Sequence, residues 1–244
     1  MPILECQNVT KSFGGLKALS KVSISVQNGE LLGVIGPNGS GKTTLFNCIS
    51  GFYKPDSGRI IYDGRDIAGQ RPHKICRLGI GRTFQLVRPF LDMTVLENVK
   101  LGQFFGRNSK EGISLEPMKT LELVGLSKSA ESLASSLTTN DRKKLELARA
   151  LAGSPRLLLL DEIITGLTPA ESNELIKLIM EIKERYVEAI LMVEHIMKVI
   201  MNVSDSVAVL DHGELLAYGK PSEVSREASV IEAYLGKSRG LKAK

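Results

Sequence analysis

Eight residues constrain this chain more than any others. Gly36-Pro37-Asn38-Gly39-Ser40-Gly41-Lys42-Thr43 reads G-x-x-x-x-G-K-T, the phosphate-cradling P-loop pattern. Apolar residues Leu31, Leu32, Val34 and Ile35 precede it and predict a strand over residues 30–35, while residues 42–49 predict a helix. Glycines let the backbone turn tightly and bring its N–H groups against phosphate oxygens. The following helix aims its unpaired N-terminal N–H groups at the same anion. Lys42 is placed to reach the terminal phosphates, the Thr43 hydroxyl to ligate magnesium, and Thr44 completes the phosphate-binding turn. A strand, this loop and a helix in that order commit the chain to an α/β core.

The remaining composition fits such a core. Of 244 residues, 43% are hydrophobic and none is Trp, so the interior must be built from Leu, Ile, Val and Ala. The formal charge of +5 is scattered, with no Lys/Arg block that would form a nucleic-acid stripe. Cys6, Cys48 and Cys76 are odd in number and lack metal-type spacing, which suits a reducing compartment. No signal-peptide pattern is visible at the N-terminus, and no apolar run reaches the length of a membrane span. Membrane association is therefore expected only through a partner.

Residues 3–9 and 19–26 alternate apolar and polar and predict two strands, with Asn28-Gly29 turning the chain into the P-loop strand. After the P-loop helix come short strands over 59–62 and 79–84 around a Pro-initiated helix at 72–78. Thr94-Val95-Leu96-Glu97 opens a helix with a capping-box pattern, residues 102–116 read as a loop, and 115–124 and 127–136 read as helical. Residues 138–152 form a strong helical pattern with Leu145, Ala148 and Ala152 on one face and Leu151 beside them. Leu157-Leu158-Leu159-Leu160 is an apolar run expected in a strand buried on both faces of a parallel sheet, beside the P-loop strand. Further on, 169–186 predicts a helix, 189–193 a buried strand, 196–203 a helix, 207–210 and 215–218 a hairpin, and 221–235 a helix.

Asp161-Glu162 ends the leucine run. An acidic residue there can hold magnesium, and the next can polarise an attacking water. The P-loop, this acidic pair, Gln85 between them and His195 at a later strand end together resemble an ABC-transporter ATP-binding subunit over residues 3–236. The resemblance implies an α/β P-loop NTPase core of the ABC ATPase type with a small antiparallel β portion and an inserted helical subdomain. It places the core in residues 1–88 and 137–236, the insertion in 89–136 and a basic tail in 237–244. It implies ATP and Mg²⁺ as cofactors. Phe13 would stack on adenine with Ala18 beside it, and residues 36–44 would hold the phosphates. Thr43, Gln85 and Asp161 would serve the metal, with Glu162, His195 and Lys42 acting in catalysis. His73 and His212 match nothing and are expected on the surface.

Segments outside the general motifs narrow the likeness. Phe13-Gly14-Gly15-Leu16-Lys17-Ala18-Leu19, Phe46-Asn47-Cys48-Ile49-Ser50-Gly51-Phe52-Tyr53-Lys54-Pro55, Arg82-Thr83-Phe84-Gln85, Met93-Thr94-Val95-Leu96-Glu97-Asn98-Val99 and Glu232-Ala233-Tyr234-Leu235-Gly236 resemble branched-chain amino acid importer ATPases. By that resemblance the chain powers import from the cytoplasmic face of the membrane, docked on transmembrane permease subunits and paired with a second ATP-binding subunit. A nucleotide-switched, non-hydrolysing subunit and an ABC ATPase for lipid or other cargo are the alternatives. The lack of a long coiled-coil insertion argues against a DNA-repair ATPase of this superfamily.

The chain also departs from that family. Where the family carries Leu-Ser-Gly-Gly-Gln at a helix N-terminus, facing ATP on the opposite subunit, this sequence has Leu137-Thr138-Thr139-Asn140-Asp141. Both glycines are lost, which should obstruct close backbone approach to phosphate, and Asp141 sets like charge against like. Thr138-x-x-Asp141 still makes a sound helix cap, and Arg142, Lys143 and Lys144 are the alternative source of phosphate affinity. Ile163 replaces a usual proline, and Thr168 a usual Asp or Asn. The groups for the chain's own ATP are intact, while those lent to a partner are altered. That pattern implies an asymmetric heterodimer, with a homodimer left open.

Overall fold

The computed structural model describes residues 1–85, 89–107 and 116–235. The chain opens with β1 (Pro2–Phe13) and β2 (Leu16–Gln27), joined by the Gly14-Gly15 turn. β3 (Leu31–Ile35) runs into the P-loop and α1 (Lys42–Ile49). β4 (Ser57–Tyr62) pairs with β5 (Arg65–Asp66), a two-residue strand too short for a periodic signal. Then follow α2 (Pro72–Leu78), β6 (Ile80–Arg82), α3 (Val95–Phe105), α4 (Pro117–Leu123), α5 (Thr139–Ala152) and β7 (Leu157–Asp161). The chain continues through α6 (Pro169–Arg185), β8 (Ala189–Val193), α7 (Met197–Val203), β9 (Ser206–Asp211), β10 (Glu214–Gly219), α8 (Pro221–Val224) and α9 (Ala228–Leu235).

Two sheets result. One is antiparallel, in the order β2-β1-β4-β5. The other runs β10-β9-β3-β8-β7-β6 and is parallel except for the β9–β10 hairpin. The leucine strand β7 is therefore not beside β3. β8 lies between them, pairing Leu32 with Leu191 and Leu159 with Leu191 on its two edges. Because all three strands are parallel, their carboxyl ends still open on one edge of the sheet, where α/β proteins place ligands.

The period-2 rule explains how one sheet separates two cores. Leu157 and Leu159 point into the core shared with the antiparallel sheet and α1, and Leu158 and Leu160 into the core shared with α5, α6 and α7. In β8, Ala189, Leu191 and Val193 face the first core while Ile190 and Met192 face the second. A third cluster joins Val95, Val99, Leu121 and Val124 to Leu145, Ala148 and Ala152 of α5, while Leu147 and Leu151 of the same helix enter the sheet core. α5 is thus the wall common to the sheet and the helical part.

Three element expectations are corrected. Residues 127–136 form only two 3₁₀ turns, Ser127–Ser129 and Ala134–Ser136. Their backbone groups pair elsewhere: the carbonyls of Ser132 and Ala130 accept from Val95 and Leu96, and Ala134 N–H donates to Met93. α3 runs to Phe105, so the loop expected from residue 102 starts later; residues 108–115 of it lie outside the described residues. The single helix expected over 221–235 is two, because Arg226 and Glu227 N–H groups donate three residues back and turn the chain between α8 and α9. The basic tail lies outside the described residues.

Candidate functional site

The P-loop conformation depends on glycine at two crowded positions. Gly36 has φ +153° and Gly41 φ +105°; a Cβ at Gly36 would sit 2.1 Å from the Leu210 carbonyl oxygen, and one at Gly41 2.5 Å from that of Ala18. Ala18, on β2, therefore forms the wall against which the loop closes. Lys42 lies inside the loop, 5% exposed, its Nζ donating to the carbonyls of Gly36 (2.7 Å) and Pro37 (2.9 Å). Burial lowers the Lys42 pKa, and the carboxylates of Glu162 and Asp161 oppose that shift. α1 has no side-chain cap and no acidic residue in its first turn, so its N-terminal N–H groups face outward uncapped by protein side chains. Thr43 is exposed and Thr44 half-buried at that end; Asn38 and Gly39 are exposed, Pro37 is half-buried and Ser40 buried.

Across a cavity of about 460 Å³, Thr43 shares a lining with Gln85, Arg82 and Asp161. Asp161 is 2% exposed at the carboxyl end of β7. Burial raises its pKa, opposed chiefly by the Arg82 guanidinium, whose Nη2 lies 2.8 Å from Oδ2. Oδ1 is buried with no hydrogen-bond partner. Glu162, next along, adopts φ +48°, a strained backbone for a residue with a side chain and common at functional sites. Its Oε2 accepts from Gln85 Nε2 at 2.7 Å and lies 3.7 Å from His195 Nδ1. His195 is exposed at the end of β8, 3.5 Å from Thr165 Oγ1. The structure thus brings Gln85, Glu162 and His195 together in one chain of contacts.

This donor set suits magnesium. An unpartnered carboxylate oxygen, a hydroxyl and an amide converge on one cavity, all offering the hard oxygen ligands Mg²⁺ prefers. Among the described residues no cluster of three or more His, Cys, Asp or Glu forms a ready metal cage. Magnesium bound with phosphates needs only one or two carboxylates.

Phe13 ends β1, 43% exposed, with Tyr53 edge-on at 5.1 Å between ring centroids and Lys11 Nζ 5.5 Å above its ring. Such a platform can stack a flat aromatic group. Tyr53 carries no motif of its own and its part was not visible in the sequence. Arg82, seen only as part of the Arg82–Gln85 segment, and Lys143, seen only as a source of phosphate affinity, make contacts the sequence did not show, and Glu194 carried no motif. Lys143 of α5 is buried and donates to the carbonyls of Ile163 and Thr165, and Glu194 Oε1 accepts from Ile164 N–H at 2.8 Å. An Arg three residues before Gln85 and a Glu next to His195 were the available signals.

At the N-terminus of α5, Thr138 Oγ1 accepts from Asp141 N–H at 3.1 Å and donates to the Asp141 carboxylate at 2.8 Å. The predicted cap forms, and Asp141's carboxylate occupies the helix's anion-attracting end. Thr168 is engaged likewise: it caps α6 in a full capping box with Glu171. His73 and His212 are exposed, as expected, and Cys6 and Cys48 are buried.

Comparison with known proteins gives a consistent picture. Residues 19–165 match the family described as ABC transporter. The chain is 39% identical over 254 residues to the high-affinity branched-chain amino acid transport ATP-binding protein LivG of Salmonella typhimurium, covering 97% of this chain and 99% of LivG. It is 39% identical over 253 residues to BraF of Pseudomonas aeruginosa, of the same description, with the same coverage. The crystal structure of an ATP-binding cassette of an ABC transporter in its ADP conformation superposes with a TM-score of 0.86 at 35% identity, covering 97% of this chain and 100% of that one.

Proposed function

The chain belongs to the ABC transporter family, and from that membership we propose that it is the ATP-hydrolysing subunit of an importer for branched-chain or related amino acids. The observation that supports this most is the convergence of Lys42, Thr43, Gln85, Asp161, Glu162 and His195 on one edge of the parallel sheet. In this reading Phe13, with Tyr53, receives the adenine beside Ala18. The N–H groups of residues 36–44 bind the phosphates. Thr43, Gln85 and Asp161 would hold magnesium, which would supply charge neutralisation on the phosphates. Glu162, whose Oε2 accepts from Gln85 Nε2, is placed to take a proton from the attacking water. Lys42 and His195 stabilise charge on the terminal phosphoryl oxygens.

The subunit acts as one of a pair docked on transmembrane permeases, at the cytoplasmic face, with no nucleic-acid partner. No helix among the described residues is long and apolar enough to cross a membrane, so attachment runs through those permeases. Residues 89–136 form the helical insertion and α5 its shared wall. The pair is asymmetric: this chain's P-loop meets an intact signature on a different subunit, while its own segment at residues 137–141 serves poorly in return. Its self-capped geometry, with Asp141 at the helix end, is the supporting observation. The test is leucine uptake into proteoliposomes holding this chain, its co-encoded ATPase and permeases, and a binding protein. Uptake and ATP turnover that persist unchanged with Lys42→Ala in this chain would sink the reading.

A further inference from the structure

Arg82 is the most heavily engaged charged side chain in the site, yet the roles above leave it unused. It ends β6, 8% exposed in its side chain. Its Nη2 holds Asp161 Oδ2 at 2.8 Å. Its Nη1 donates to Asn47 Oδ1 at 2.7 Å and Ser50 Oγ at 2.6 Å. Those acceptors lie at the C-terminal end of α1, the helix whose other end carries Lys42 and Thr43. The guanidinium also lies over the rings of Phe46, Phe52 and Phe84, at 5.7, 5.6 and 5.0 Å from their centroids. One planar cation therefore ties the phosphate-binding helix to the end of β7.

We propose that Arg82 is a positioning residue for the metal site: it clamps Asp161 through Oδ2 so that Oδ1 is presented to the cation, and it fixes the distance between Asp161 and Thr43 by anchoring to α1. The inference rests on the reading of Asp161 as a magnesium ligand. Three features carry it. Asp161 Oδ1 is buried and left without a partner while Oδ2 is held, so Arg82 satisfies one oxygen and leaves the other available. The Asp161 N–H is held by Thr83 Oγ1 at 3.2 Å, so the residue following Arg82 fixes the backbone as Arg82 fixes the side chain. The fork geometry of a guanidinium spans two partners at once, and a lysine ammonium, a point charge, cannot reproduce the span. Groups that orient a metal's ligands typically change metal affinity by about 10- to 100-fold when removed.

The experiment measures ATP affinity of the purified full chain by calorimetry, once in EDTA and once in saturating Mg²⁺. The ratio of the two dissociation constants is the metal's contribution. It also measures the Mg²⁺ half-saturation of ATP turnover with the partner ATPase present. Variants are Arg82→Gln, Arg82→Lys, the anchor variant Asn47→Ala/Ser50→Ala, and Asp161→Asn as reference. Arg82→Gln is expected to reduce the metal's contribution about 10-fold or more and raise the Mg²⁺ half-saturation correspondingly, with EDTA affinity within about twofold of the parent. Arg82→Lys and the anchor variant should fall between. If Arg82→Gln does not fold, those two decide the matter by the same ratio. A metal contribution unchanged in the Arg82 and anchor variants, with Asp161→Asn impaired, overturns the positioning role alone. A contribution unchanged in Asp161→Asn removes the metal reading itself.

Discussion

Gly39 and Gly41 lie two residues apart in one loop, both with positive φ, yet their surroundings separate them. Gly41 has φ +105° and ψ −1°, and a Cβ there would stand 2.5 Å from the Ala18 carbonyl oxygen and 3.0 Å from Leu19 Cδ2. Gly39 has φ +80°, and a Cβ would meet nothing within 4 Å. Forcing an alanine into left-handed backbone costs about 1–2 kcal/mol, the only term expected for Gly39→Ala. Gly41→Ala adds the collision with the backbone of β2, which cannot swing aside as a side-chain tip can. Overpacking of this kind costs about 1–3 kcal/mol more. The two terms put Gly41→Ala about 2–5 kcal/mol below the parent and Gly39→Ala about 1–2 kcal/mol below. Urea unfolding at constant pH, followed by circular dichroism, gives the two midpoints. Calorimetry adds a second readout, since relief of the clash displaces Lys42 and should weaken ATP binding in Gly41→Ala. Equal losses of stability for the two variants would refute the argument, because backbone strain alone would then explain both.

Glu162→Gln keeps an acceptor for Gln85 but cannot take a proton; turnover with the partner should drop about 10²- to 10⁴-fold while ATP stays bound, and an unchanged rate removes Glu162 from the role of base. Burial pushes the Glu194 carboxyl up to about 7 from its ordinary 4.5. Between those values the native protein keeps a proton that the unfolded chain has released, so this group's stabilising contribution declines as pH rises through that window and is lost above about 7. Glu194→Gln should flatten that slope and, in urea, exceed the parent at pH 8 more than at pH 5; parallel pH profiles would contradict this. Asn140→Gly with Asp141→Gln should weaken the cap of α5, by about 1 kcal/mol, yet raise turnover of the mixed ATPase pair; turnover that falls with stability would show that the native segment already serves the partner's site.

Much of this architecture was readable because side-chain period and turn chemistry agree locally. The apolar run over residues 157–160 announced a two-faced strand, and its leucines do divide between two cores. The capping pairs Thr94 with Glu97 and Thr138 with Asp141 announced two helix starts to the residue. Pairing order was a different matter. Nothing local in β7 records that β8 will slip between it and β3, since any of these apolar strands satisfies the others' edges. Residues 127–136 differ for a related reason: their composition tolerates helix, but the backbone of the 91–96 segment takes their hydrogen bonds. Within the site, residues with a motif were legible. The contacts of Arg82, Lys143 and Glu194 were not, because each acts through distant strands and helices, and charge in a sequence does not reveal which charges will be buried.

The altered segments bear on the proposed asymmetry more strongly in three dimensions than as letters. A helix N-terminus offers a few unpaired N–H groups, and an anion can use them only if nothing nearer does. At α1 no side chain caps these groups, no acidic residue enters the first turn, and Lys42 supplies positive charge beside them. At α5 the Thr138 hydroxyl accepts from the Asp141 N–H and then holds the Asp141 carboxylate, so one of the donors is taken and the field of that end is opposed from within the chain. At α6 the Thr168–Glu171 box does the same. Arg142 is held by a bond from its Nη2 to the Ser135 carbonyl, Lys143 is turned inward to the carbonyls of Ile163 and Thr165, and Lys144 pairs with Glu174. The run of three basic residues beside Asp141 is thus committed to contacts inside the chain. The half-buried Asp141 carboxylate stands in α5's first turn beside the exposed Thr138 and Thr139, and a phosphate brought there by a partner would have to displace it.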